Sequence, residues 1–79
     1  MAKENNIVHQ YFKKEMPNGK ILLRVNPIQF KGTEIWVNKQ GAEMRTLELD
    51  ADIFEDLKLD GFVEVNPMEF NLYLSGLLE

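Results

Sequence analysis

A six-residue pattern that occurs twice limits the possible folds of this chain more than any other feature. Residues 25–30 read Val-Asn-Pro-Ile-Gln-Phe, and residues 65–70 read Val-Asn-Pro-Met-Glu-Phe. The Asn side chain can accept a hydrogen bond from the first helical turn, and Pro suits the first helical position. Gln29 or Glu69 follows at the spacing of a capping box. Both copies therefore predict a helix start, with capping residues Asn26, Pro27, Asn66, Pro67 and Glu69.

The residues on either side of each copy predict strands that lead into these starts. Leu-Leu-Arg at 22–24 and Phe-Val-Glu at 62–64 are typical of strands. Lys31-Gly32 should stop the first helix after about one turn, whereas residues 71–78 allow the second to continue. A reused strand-to-helix junction explains every residue of the pattern, so we favour it over a duplicated ligand-binding turn.

The segment before the first copy predicts a β-hairpin. Pro17-Asn18-Gly19 has the residue types of a tight turn, since Pro presets φ and Gly accepts a left-handed conformation. We expect strands near residues 7–15 and 20–25. The apolar spacing within residues 7–16 also fits one face of a helix, so a helix remains the alternative there.

The rest of the chain predicts two further strands, a short helix, a fifth strand and a final helix. The strands are expected at residues 33–37, 43–49 and 62–65, the short helix after an Asp52–Glu55 cap, and the last helix from Pro67 to about Leu78. The predicted fold class is α+β: an antiparallel β-meander of about four to five strands with both helices packed on it. We predict a flexible N-terminal tail at residues 1–6 and a single domain at residues 7–79.

Composition and charge narrow the classes of function. The chain has no Cys and a single His, which disfavours a zinc site and a histidine metal cluster, and we expect neither a metal nor a cofactor. The net charge is −4, with seven Lys/Arg against three Asp/Glu in residues 1–42 and two against ten in residues 43–79. Without an apolar run of membrane-spanning length or a signal-peptide pattern, we expect no membrane contact and a cytoplasmic location.

The apolar content of the final helix suggests the function. Its apolar residues surround more than one face, although a helix packed on a small sheet needs only one apolar stripe. We therefore predict a small acidic protein–protein interaction module without enzymatic activity. It would self-associate, as a homodimer, or bind a protein partner through Leu72, Tyr73, Leu77 and Leu78.

The basic N-terminal half supports an alternative function. Single-strand binders combine basic side chains with aromatic rings on a sheet, and the candidate residues here are Tyr11, Arg24, Trp36 and Lys39. The acidic C-terminal half opposes this interpretation, because it would repel phosphate. A third class, an enzyme, is not predicted, since the lone His9 and Ser75 form no recognisable nucleophile pattern.

Overall fold

The protein forms one five-stranded antiparallel sheet with two helices, which confirms the predicted α+β class. The computed structural model describes residues 8–78, with backbone only for residues 77 and 78. The predicted tail, residues 1–6, and Ile7 lie outside the described residues. The elements are β1 (Gln10–Met16), β2 (Gly19–Asn26), β3 (Lys31–Asn38), β4 (Gly41–Glu48), α1 (Ile53–Leu59), β5 (Val63–Val65) and α2 (Met68–Leu78).

The order of the strands across the sheet is β4-β3-β2-β1-β5. The first four strands form a meander, and β5 returns to the free side of β1. The hairpin prediction is confirmed, because Met16 pairs with Gly19 across the turn at Pro17 and Asn18. The helical alternative for residues 7–16 is wrong over Gln10–Met16, where the backbone is extended.

The two helices cover opposite faces of the sheet. Successive side chains of a strand alternate between faces. Leu22 accordingly belongs to the core under α2, which Phe70 completes, and Leu23 and Val25 belong to the core under α1, which Leu57 completes. We call these surfaces the α2 face and the α1 face. The sequence had not indicated which face each helix covers.

The first junction makes the predicted cap but no helix. Asn26 Oδ1 accepts hydrogen bonds from the backbone N–H groups of Ile28 and Gln29, at 2.9 and 3.0 Å. One turn later the backbone of Phe30 adopts φ 53°, and β3 starts at Lys31, paired with Asn26. A left-handed residue cannot continue a right-handed helix. The prediction of a first helix is therefore corrected to a single capped turn between β2 and β3.

The second junction does start a helix, with one correction. Asn66 Oδ1 accepts a hydrogen bond of 3.0 Å from the N–H of Met68, and the carbonyl of Pro67 accepts one from Asn71. The predicted caps Asn66 and Pro67 thus lie at the start of α2. Glu69 does not close a capping box, because its carboxylate binds Lys13 and Lys20 on the sheet instead.

Helix α1 starts differently from the sequence prediction. Asp52 is its N-terminal flanking residue but makes no side-chain capping bond. The side chain of Asp50 accepts the N–H of Asp52 at 3.0 Å, so the carboxylate turn forms two residues earlier. After Leu59 the helix ends through Gly61, whose φ of +90° favours glycine.

Candidate protein-interaction site

The outward surface of α2 carries two exposed apolar side chains. Met68 is 69 % exposed and Leu72 is 68 % exposed, and they lie one helical turn apart. On the opposite side of the helix Phe70, Tyr73 and Leu74 pack into the core of the α2 face. The helix is therefore apolar towards the sheet and apolar towards solvent. We call Met68 and Leu72 the outer stripe.

The outer stripe lies in a shallow depression of the surface. Its lining residues are all uncharged: Asn66, Pro67, Met68, Asn71, Leu72 and Ser75. The lining combines the apolar side chains of Pro67, Met68 and Leu72 with uncharged polar residues. Such an arrangement can bury methyl and thioether groups against a partner without stripping water from a charge.

The four residues predicted for the interface have different positions. Leu72 is on the outer stripe, whereas Tyr73 is half-buried on the inner side of α2, where the Lys20 ammonium lies 5.0 Å from its ring centre. We therefore exclude Tyr73 from the site. The side chains of Leu77 and Leu78 lie outside the described residues. Sequence reasoning missed Met68, although its spacing of four from Leu72 could have revealed it.

A cluster of three charges ties the start of α2 to the sheet. The Glu69 carboxylate accepts hydrogen bonds from the ammonium groups of Lys20 and, at 3.0 Å, Lys13. The bond from Lys20, more than that from Lys13, lowers the pKa of Glu69 below its ordinary value of 4.5. In return, the hydrogen bond to Glu69 raises the pKa of Lys20. The pKa of Lys13 is raised most by its hydrogen bond to Glu15 and next by its hydrogen bond to Glu69.

This cluster predicts a pH dependence that the Glu69→Gln variant should lose. A carboxyl group with a lowered pKa in the folded state stabilises the protein above its unfolded pKa of 4.5. That contribution is lost as the pH falls through the lowered folded pKa. Wild type should therefore lose more stability than Glu69→Gln between neutral and acidic pH, measured by urea unfolding. Parallel curves for the two proteins would show that the ion pairs add nothing.

The residues of the nucleic-acid alternative are not brought together. Tyr11 lies on the α2 face with its ring packed edge-on against Phe70, at 5.5 Å between ring centres, and Arg24 stacks over the same Phe70 ring. Trp36 is on the α1 face, since it pairs with Ile21 and not with Leu22. Lys39 lies in the turn between β3 and β4. One single strand could not stack on both aromatic rings.

The described part of the chain contains no metal-ligand cluster and no helix able to span a membrane. Within residues 8–78 no three His, Cys, Asp or Glu side chains are grouped as a metal site. Neither described helix has the length and apolar character needed to cross a bilayer.

Comparison with known proteins found no similar protein. The chain matches no protein-family model, and it shows no significant match to a curated protein or a solved structure.

Proposed function

We propose that this protein is a non-enzymatic interaction module that self-associates through the outer stripe of α2. The observation that supports the proposal is the exposure of Met68 and Leu72 on a helix that already buries Phe70 against its own sheet. Large apolar side chains grouped on one exposed surface are typical of contact sites. A second copy offers the same uncharged depression, so two copies can form an isologous contact, with the same surface on each, about a two-fold axis.

The energy of this contact makes it sensitive to a single substitution. A two-fold contact buries Met68 and Leu72 from both copies, and each side chain contributes roughly 1.5–3 kcal/mol. Association itself costs roughly 4–15 kcal/mol. The four buried side chains together therefore contribute about as much free energy as association costs. Because the balance is narrow, placing one charge in the contact should be enough to dissociate the complex.

The Leu72→Asp variant should therefore lower the mass of the assembly. Light scattering after size exclusion, at micromolar concentration, should give a multiple of 9.2 kDa for wild type and at most half of the wild-type mass for Leu72→Asp. Leu59→Asp on α1 is the matched control, because Leu59 is even more exposed, at 84 %. It introduces the same charge elsewhere and should leave the mass unchanged.

Two results would contradict the proposal. A wild-type species of 9.2 kDa at these concentrations would mean that the protein does not self-associate. An oligomer that Leu72→Asp and Leu59→Asp leave equally intact would mean that the outer stripe is not its contact. Circular dichroism should show the same helix and strand content in all three proteins, because both leucines lie at the surface.

A further inference from the structure

Strand β4 is an open edge of the sheet. Among the described residues it pairs with β3 alone, along its whole length. The hydrogen bond from the N–H of Leu49 to the carbonyl of Phe30 continues this ladder and shows that odd-numbered residues bond towards β3. Hydrogen-bonding direction alternates along an antiparallel strand. The N–H and C=O groups of Ala42, Met44 and Thr46 therefore point away from the sheet.

The charges beside these groups suit a second copy of the same strand. Glu43 and Arg45 lie on the α1 face, two residues apart, on either side of Met44. If two β4 strands pair antiparallel with Met44 opposite Met44, each Glu43 stands opposite the partner's Arg45. The contact then contains two cross-strand pairs of opposite charge, each contributing roughly 0.2–1 kcal/mol.

Neighbouring registers are less favourable. Moving the centre to Glu43 places two Glu43 carboxylates face to face, and moving it to Arg45 opposes two guanidinium groups. Like charges directly opposite each other destabilise a sheet. A different shift, in which Met44 faces Glu43 or Arg45 of the other copy, would turn the α1 face of one copy towards the α2 face of the other. The charge pattern therefore selects the register centred on Met44.

The guanidinium of Arg45 contacts β3 and stays accessible to a partner. It forms an ion pair of 3.1 Å with Glu34 of β3 and lies 5.9 Å from the ring centre of Trp36. These contacts lie on the β3 side of Arg45, but its side chain is still 65 % exposed. A guanidinium has five N–H donors, so Arg45 can also donate to a partner carboxylate that arrives at the open edge. Met44, on the other face, is 41 % exposed. Its position at the centre would bring two thioether side chains into contact.

We propose that β4 pairs antiparallel with β4 of a second copy, centred on Met44, to join two five-stranded sheets into one of ten strands. The other edge is less suitable, since β5 has three residues whereas β4 has eight. This contact goes beyond the proposed function because it uses the edge of the sheet and not the outer stripe. Either contact can therefore fail while the other stands.

Disulfide cross-linking tests the register directly, because the chain has no Cys of its own. In the Met44→Cys variant the two thiols belong to a hydrogen-bonded pair with Cα atoms about 5.5 Å apart, within disulfide range. In Thr46→Cys, two residues along the same face, the two equivalent positions are about 13 Å apart. Under mild oxidation Met44→Cys should cross-link roughly a hundredfold faster, since paired thiols meet at about millimolar effective concentration.

A mixture supplies the matched positive control. Position 46 of one copy faces position 42 of the other in this register, so Thr46→Cys mixed with Ala42→Cys should cross-link while each alone should not. Equal rates for Met44→Cys and Thr46→Cys would overturn the proposal. If light scattering shows an oligomer and these thiols still fail to link selectively, the sheet-edge contact is wrong and the self-association stands.

Charge reversal provides an independent test. Glu43→Lys alone opposes Lys to Arg45, and Arg45→Glu alone opposes Glu to Glu43, so each should cross-link more slowly when combined with Met44→Cys. Mixing the two proteins restores both pairs of opposite charge and should favour the mixed dimer. If the cross-linked dimers contained the two variants in random proportion, with no preference for one copy of each, the result would count against the register. Adding Leu72→Asp to Met44→Cys should leave the cross-linking rate unchanged, which separates the two contacts.

Discussion

Replacing Phe70 with alanine should lower the free energy of unfolding by about 3–5 kcal/mol. Phe70 is 1 % exposed and joins α2 to the core formed with Leu22 and Ile35. Its ring also packs edge-on against Tyr11 and beneath the Arg24 guanidinium. A domain of this length has a total stability of roughly 4–12 kcal/mol. The variant should therefore be near the limit of folding, as measured by urea denaturation followed by circular dichroism.

Leu59→Ala is the control for this prediction. It removes a large apolar side chain from the other helix at a position that is 84 % exposed. Because almost no contact is lost, its unfolding free energy should stay within about 0.5 kcal/mol of wild type. If the two variants were equally stable, α2 would not be packed on the sheet through Phe70.

Replacing Gly19 with alanine should destabilise the protein by about 1–3 kcal/mol, the range typical of an added methyl group in a packed site. A Cβ atom at Gly19 would lie 2.0 Å from the carbonyl oxygen of Val37, on the neighbouring strand β3. That oxygen belongs to the backbone, so it can move only if the pairing of β2 with β3 shifts. The loss should appear as a lower urea midpoint with an unchanged slope.

Gly76→Ala makes the same chemical change as Gly19→Ala but should raise the stability of the protein. A Cβ atom at Gly76 meets nothing within 4 Å, and the residue lies within α2. Alanine is favoured over glycine inside a helix by roughly 0.5–1 kcal/mol, so this variant should be more stable than wild type. A Gly19→Ala variant as stable as Gly76→Ala would mean that the close approach of Gly19 to Val37 does not exist.

The opposite placement of the helices explains why α2 can have an apolar outer surface. If α1 lay on the α2 face it could cover Met68 and Leu72. Instead α1 packs through Leu57 on the other face, where it meets Leu23 and Val25. The outer stripe is left to solvent in a single copy, and this exposure is the basis of the proposed self-association.

Local chemistry along the chain was sufficient to predict most of the elements. Turn residues at Pro17 to Gly19 placed the hairpin, and the Asn side chains of both junctions accept the backbone bonds expected of them. These features depend on residues within a few positions of one another. Their geometry follows from fixed φ values and short side chains, which act in the same way in any fold.

Contacts between distant residues decided the rest. Glu69 could have closed its capping box, but Lys13 and Lys20 from two strands offer it charged partners. At the first junction the register of β3 on β2 ended the turn at Phe30 before a helix could form. The side of α2 that carries Met68 became the outer one only because Phe70 was buried. The amino-acid pattern determined which segments are strands and helices; tertiary packing decided their faces, because the burial of each side chain depends on partners remote in the chain.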